Sequence, residues 1–357
     1  MRHPLRLFII LFGYCGFTQA YEIKPIIQSE AFLQSEPVTL QGAQREWKNV
    51  DYQSSEHQYG SLRVESGIKI NNTSLSWVNR QEQQNHFNTD TSDYYYNSQN
   101  NQLNSDRVYH LMFETLSFKT EGLNIKQTFQ PSSKLKLTIG SSFLEASDLQ
   151  MGSIKGSVRT RSSGKRQNYN VKIDYYYDDD KLLDRPNVIA PSGEGQAWNA
   201  GLAYQPTQNI DIAIAAMDLA GKITWHNVPH TKAKLKSKIK VTNDNGFTNI
   251  LSHIYGRESY QDSLVQPLQA KVDMQARYRL NQSHQSVLLL AKHVPKQTFW
   301  GIGGEMPALK GTINASIWNN QGMLKVGYTH KHANVSLGMD NWNPAHSHAV
   351  WLEMGIQ

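Results

Sequence analysis

Between Leu268 and Leu280 the chain alternates without a break. Leu268, Ala270, Val272, Met274, Ala276, Tyr278 and Leu280 are apolar or aromatic, while Gln269, Lys271, Asp273, Gln275, Arg277 and Arg279 are polar or charged. Successive strand side chains point to opposite faces. The stretch therefore predicts a strand with one apolar and one charged face. It exceeds the usual strand of about 5–6 residues and covers the roughly 9–11 that a tilted strand needs to cross a bilayer.

The pattern recurs. Leu62, Val64, Ile68 and Ile70 oppose Arg63, Glu65 and Lys69; Asn71-Asn72 makes a turn; Thr73, Leu75 and Trp77 line a return strand. Tyr109, Leu111 and Phe113, then Leu123, Ile125 and Phe129, continue the alternation, and Leu135, Leu137 and Ile139 alternate with Lys134, Lys136 and Thr138. Further strands are expected around Val171, Leu202 and Ile212, and closely spaced hairpins run from Val287 to Ile356. Gln81–Arg107 and Asp178–Gln196 are polar and too long for ordinary connections. Residues 21–59 are irregular, consistent with an arm, a plug or an initial strand plus loop.

Composition narrows the class. Of 357 residues 39% are hydrophobic and the mean hydropathy is -0.57, which excludes a helical membrane protein. Arg2 and Arg6, the apolar run Leu7–Phe17 and Thr18-Gln19-Ala20 read as a cleaved signal peptide over residues 1–20. Cys15, the only cysteine, lies within it, so a processed chain has no disulfide to stabilise it. Loss of Arg2 and Arg6 leaves 34 basic against 30 acidic residues. That balance is too mild to imply a nucleic-acid partner. With no long apolar run after the leader, a chain resident in a membrane would have to form a closed β-barrel.

An export leader, no later cysteine, dyad alternation, short turns mixed with long polar loops and aromatics near strand ends resemble a Gram-negative outer-membrane β-barrel. The likeness is one of class and extends over nearly the whole chain after the leader. It implies an all-β antiparallel transmembrane barrel over residues 60–357, with some 12–16 strands centred on about 14. It also implies residence in the cell outer membrane, among its lipids.

Candidate chemistry lies in charge rows. Lys232, Lys234, Lys236, Lys238 and Lys240 share one face of a strand, with Ala233, Leu235 and Ile239 on the other. Such a row suits an anion track along a lumen, contact with lipopolysaccharide phosphates, or a solvated strand end that blunts an edge. Arg63, Lys69, Lys271, Arg277 and Arg279 join it as lumen candidates. His330 and His332, His346 and His348, Ser347 and Asp178–Asp180 read as loop residues, with no catalytic role, metal or cofactor expected. Tyr175, Tyr177, Trp198, Tyr204, Trp225, Trp318 and Tyr328 are candidates for interfacial girdles. The expected function is a passive channel for small polar or anionic solutes, not an enzyme. The alternatives are a non-conducting surface adhesion or assembly barrel, and a transporter of a hydrophobic substrate plugged by residues 21–59.

Overall fold

The computed structural model describes residues 22–161, 166–182, 185–242, 248–280 and 285–356, with backbone alone for 166, 238–242 and 248–253. The expected leader lies outside the described residues. Sixteen strands follow in order: β1 Ile23–Ser35, β2 His57–Ile70, β3 Thr73–Phe87, β4 Val108–Ser132, β5 Leu135–Arg161, β6 Arg166–Tyr177, β7 Ser192–Thr207 and β8 Ile210–Thr242. Then come β9 Thr248–Pro267, β10 Lys271–Arg279, β11 Ser286–Val294, β12 Gln297–Ala308, β13 Gly311–Trp318, β14 Leu324–His330, β15 Ala333–Met339 and β16 Ala349–Ile356. Two helices lie in loops, α1 Leu40–Gln44 and α2 Thr89–Gln99.

Antiparallel pairing runs from β10 to β16, on through β1 to β5, then β7 and β8, and β8 returns to β10. The ring closes on fourteen strands. The other two sit above it: β6 fills the slot between β5 and β8 beyond the end of β7, and β9 continues the line of β10 along β8. Short turns such as Asn71-Asn72 and Leu309-Lys310 mark one end and the long loops the other. In outer-membrane barrels the short-turn end is periplasmic.

Alternation explains the wall. Outward positions carry Val64, Leu75, Trp77, Ile125, Ile139, Phe143, Leu289, Trp300, Ile302 and Ile317, with Ile139 55% and Trp300 61% exposed. Inward positions carry buried Glu65, Ser76, Arg80, Asn124, Ser142, Lys271 and Ser316. An apolar belt around a polar interior is stable when lipid surrounds it, and closure leaves no unpaired edge within that belt. No helix among the described residues is long and apolar enough to cross a membrane.

Several boundaries differ from those expected. The strand expected over Leu268–Leu280 begins at Lys271, because Leu268 turns inward, donates its amide to the Gly221 carbonyl at 2.8 Å and is buried. On β8, Asp218 (φ 62°) and Ala220 (φ 49°) kink the chain at this level. β5 bulges at Asp148 (φ 55°), where its register against β4 shifts. Such bulges re-aim the strand beyond them. The first polar stretch is strand as far as Phe87 and then α2; the second is strand again from Ser192. Residues 22–59 are neither a free arm nor a plug. β1 closes the ring between β16 and β2, and residues 36–56 form a loop with α1 at the long-loop end, so the barrel begins at Ile23 and not near residue 60.

Candidate functional site

Inside the ring, side chains from opposite walls meet. Glu30, Arg63, Arg80 and Thr120 are successive cross-strand partners on the inner face of β1–β4. Facing them are Asp218 of β8, Lys271 and Asp273 of β10 and Lys292 of β11. Arg80 donates to Asp218 Oδ1 at 2.8 Å and to Glu82 Oε2 at 3.0 Å. Lys271 completes that square, bonded to Glu82 and to Asp218 Oδ2 at 3.2 Å. Lys292 donates to Glu30 Oε1 at 2.7 Å and to Asp273 Oδ1 at 2.9 Å.

Towards the short-turn end, Glu65 Oε1 accepts from Ser76 at 2.5 Å, Asn124 at 3.0 Å and Lys126 at 3.0 Å, and Oε2 accepts from Arg63 at 2.6 Å. A carboxylate offers about four lone-pair sites, and Glu65 fills them. Buried charges are tolerable only when paired and hydrogen-bonded in this way. The result is a septum of alternating charge across the lumen.

Towards the long-loop end the septum is backed by apolar packing. Phe118, Leu149, Ile223 and Trp225 belong there to one inner cluster, which Val78 and Leu144 join at septum level. Gly193 makes room for it, since a Cβ there would lie 2.9 Å from the Trp225 ring. A second cluster joins Phe32, Tyr59, Phe299, Trp318, Met323 and Trp351. The Lys325 and Lys292 ammonium groups lie 3.4 and 4.6 Å from the centroid of Trp351, a cation–π arrangement.

Chambers lie on both sides. One of 440 Å³ near the long-loop end is lined by His57, His86, Glu114, Tyr176 and Gln297. One of 990 Å³ at the short-turn end is lined by Lys24, Lys69, Lys126, Arg277, Lys331 and His332. At septum level a cavity of 40 Å³, lined by Tyr59, Arg63, Arg80, Lys271 and Lys292, has room for a few waters. Tyr59 lines both this cavity and the long-loop chamber.

The expected cationic residues divide. Arg63, Lys69, Lys271, Arg277 and Arg279 face the interior, but four of them are neutralised: Arg63 by Glu65, Lys271 by Glu82 and Asp218, Arg277 by Glu305 at 2.8 Å and Arg279 by Asp211. Lys232, Lys234 and Lys236 lie outside the ring, on the part of β8 that pairs with β6. β8 is 33 residues long, and only its first part belongs to the ring of fourteen, so these three lysines stand beyond that ring. Lys232 stands opposite Asp174, 3.6 Å from its carboxylate. The side chains of Lys238 and Lys240 lie outside the described residues.

Other candidates are structural. Ser347 Oγ is 2.8 Å from Asp340 Oδ1, which also accepts the amides of His348 and Ala349, so the group holds a loop. Asp180 is buried against the Tyr175 hydroxyl, not exposed at a loop tip. Tyr175, Tyr177, Trp225 and Trp318 are buried, whereas Trp198 and Tyr204 face outward. Among the described residues no group of three or more His, Cys, Asp or Glu is placed to hold a metal.

At the long-loop end α2 is docked by charge. Burial raises the Asp90 carboxyl, but the His110 amide and the Arg107 guanidinium, at 2.9 and 3.0 Å, outweigh it and hold it below the usual range. Burial, aided by the bond to Asp93, pushes the Tyr52 hydroxyl up to about 12, keeping it a donor to that carboxylate at 2.7 Å.

No protein-family model matches the chain, and no curated protein does. Among solved structures it is similar to the P. putida toluene transporter TodX, with 9% identity over 93% of this chain and 88% of that one and a TM-score of 0.44. A TodX deltaS2S3 mutant monoaromatic hydrocarbon channel shares 8% identity over 94% and 90%, with a TM-score of 0.47. The CymD monoaromatic hydrocarbon channel shares 9% over 93% and 87%, with a TM-score of 0.41. These values establish no residue correspondence. Strand closure and the lipid-compatible belt make the chain a β-barrel of the outer-membrane type.

Proposed function

We propose that this chain is an outer-membrane channel for small polar solutes whose resting lumen is shut by its own side chains. The observation that carries this reading is the presence of two chambers on either side of a septum of ion pairs that apolar side chains back. A row of salt bridges can exchange partners without unfolding a wall, so a route opens when Lys271 and Lys292 change sides. In this reading the passive channel of the sequence expectation becomes a gated one. A lumen plug formed by residues 21–59 has no place in this reading, because residues 22–59 build wall and loop.

The rival is a non-conducting surface barrel. The two apolar clusters inside the ring favour it. Liposome swelling with neutral sugars of graded size separates the two. Glu82→Ser with Lys271→Ser should admit sugars that the wild type admits slowly. Equal, negligible rates in both proteins would leave the non-conducting barrel.

A further inference from the structure

The short-turn chamber holds charge that the septum does not use. Lys24 of β1 and Lys69 of β2 are direct cross-strand partners; Lys69 faces Ser74 of β3, and Ser74 faces Lys126 of β4. Three ammonium groups and one hydroxyl thus form an arc over four adjacent strands at one level. Lys331 and His332, in the β14–β15 turn, line the same chamber. Like charges directly opposite one another repel, so an anion held between them at the mouth of this chamber would relieve that repulsion.

The available partners do not balance it. Lys24 meets Glu22 at 2.8 Å and Lys126 meets Glu65 at 3.0 Å. Among the described residues no carboxylate lies within ion-pair distance of Lys69 or Lys331. Each ammonium carries three donors, so Lys24 and Lys126 retain hydrogens for a further acceptor. Five lysine and arginine side chains line the chamber against two carboxylates, Glu65 and Glu305. A concave lining with an excess of positive charge concentrates anions.

We propose that Lys24, Lys69 and Lys126, with Lys331 beside them, form a binding site for a soluble multivalent anion bearing phosphate-type oxygens. The site deepens the channel reading, because it sets the charge of the solute that collects on the short-turn side of the septum. Its register fits such an anion: three lysines stand on one side of the chamber at one level, and Ser74 stands between Lys69 and Lys126. A free solute is favoured over a lipid headgroup because the arc faces the chamber and not the belt.

The test is titration of pyrophosphate into the refolded full chain in a neutral detergent at low ionic strength, followed by calorimetry. Saturable binding near one per chain is expected, weakened about tenfold or more by Lys69→Gln or Lys331→Gln. Lys232→Gln, at the opposite end, should leave it unchanged. Lys69→Gln removes a repelled charge, and Lys331→Gln changes a turn, so heat-modifiable gel mobility should report both as folded. Absence of saturable binding overturns the site, as does binding indifferent to both chamber variants. Equal losses in Lys232→Gln overturn it too, since they show diffuse charge. Binding without conduction would keep the site and discard the channel; conduction without binding would do the reverse.

Discussion

Lys292 of β11 donates to Glu30 of β1 at 2.7 Å, although six strand positions separate the two around a ring of fourteen. Such a bond spans nearly the full width of the barrel. It means that the walls are braced against each other through the lumen. Removing one partner leaves the others buried and unpaired, so Lys292→Met should destabilise the barrel by about 3–5 kcal/mol. Replacing Glu30 and Asp273 with Leu as well should restore most of that loss. Urea midpoints of the vesicle-inserted proteins check both results.

The wall assigns neighbouring residues to lipid and to water. Ile139 faces outward and Thr138 lines the short-turn chamber. Ile139→Lys should cost about 2–4 kcal/mol if it lies near the bilayer midplane, and Thr138→Lys well under half of that. The same unfolding measurement decides it. Comparable costs would show that the register is shifted by one residue.

The apolar packing above the septum should matter more than exposed rings of the same type. Trp225 is fully buried and its indole N–H donates to Gln266 Oε1 at 2.8 Å. Trp225→Ala should cost about 3–5 kcal/mol, whereas Trp300→Ala, on the lipid face, should cost much less. A smaller effect at Trp225 would mean that the inner cluster is not a packed core.

Acid should release the loop that carries α2. The Asp90 carboxyl lies below its unfolded value of about 3.9, so its contribution is present above that value and is lost as pH falls through the lower folded one. Limited proteolysis of residues 88–107 should therefore rise in acid, and Asp90→Asn should make it high and flat across the same range. Unchanged acid sensitivity in that variant would assign the effect to another group.

The barrel class and strand number were legible because alternation survives wherever a strand has one face in lipid and one in the lumen. Ser61–Ile70 is such a strand. Arg63 and Lys271 were legible as lumen residues, but the septum they join was not, for reasons specific to its other residues. Glu82 follows Gln81 in a polar run that reads as loop, and Lys292 follows Leu288-Leu289-Leu290, where both faces are apolar. Asp218 sits at a kink, where one extra residue reverses the inward face. The lysine row from Lys232 had clear alternation, but alternation cannot say whether a strand has already left the membrane. Lys69 was legible as inward-facing; its union with Lys24 and Lys126 into one arc requires the register between strands, which no single strand reveals.

The most direct test of a shut, openable lumen is planar-bilayer conductance of the wild type and of Glu82→Ser with Lys271→Ser. The account predicts rare or small steps from the wild type and stable, larger steps from the variant, with the fold intact by heat-modifiable mobility. Large, continuous wild-type steps unaffected by the substitutions would contradict the septum. Silence from a folded, inserted variant would contradict the channel.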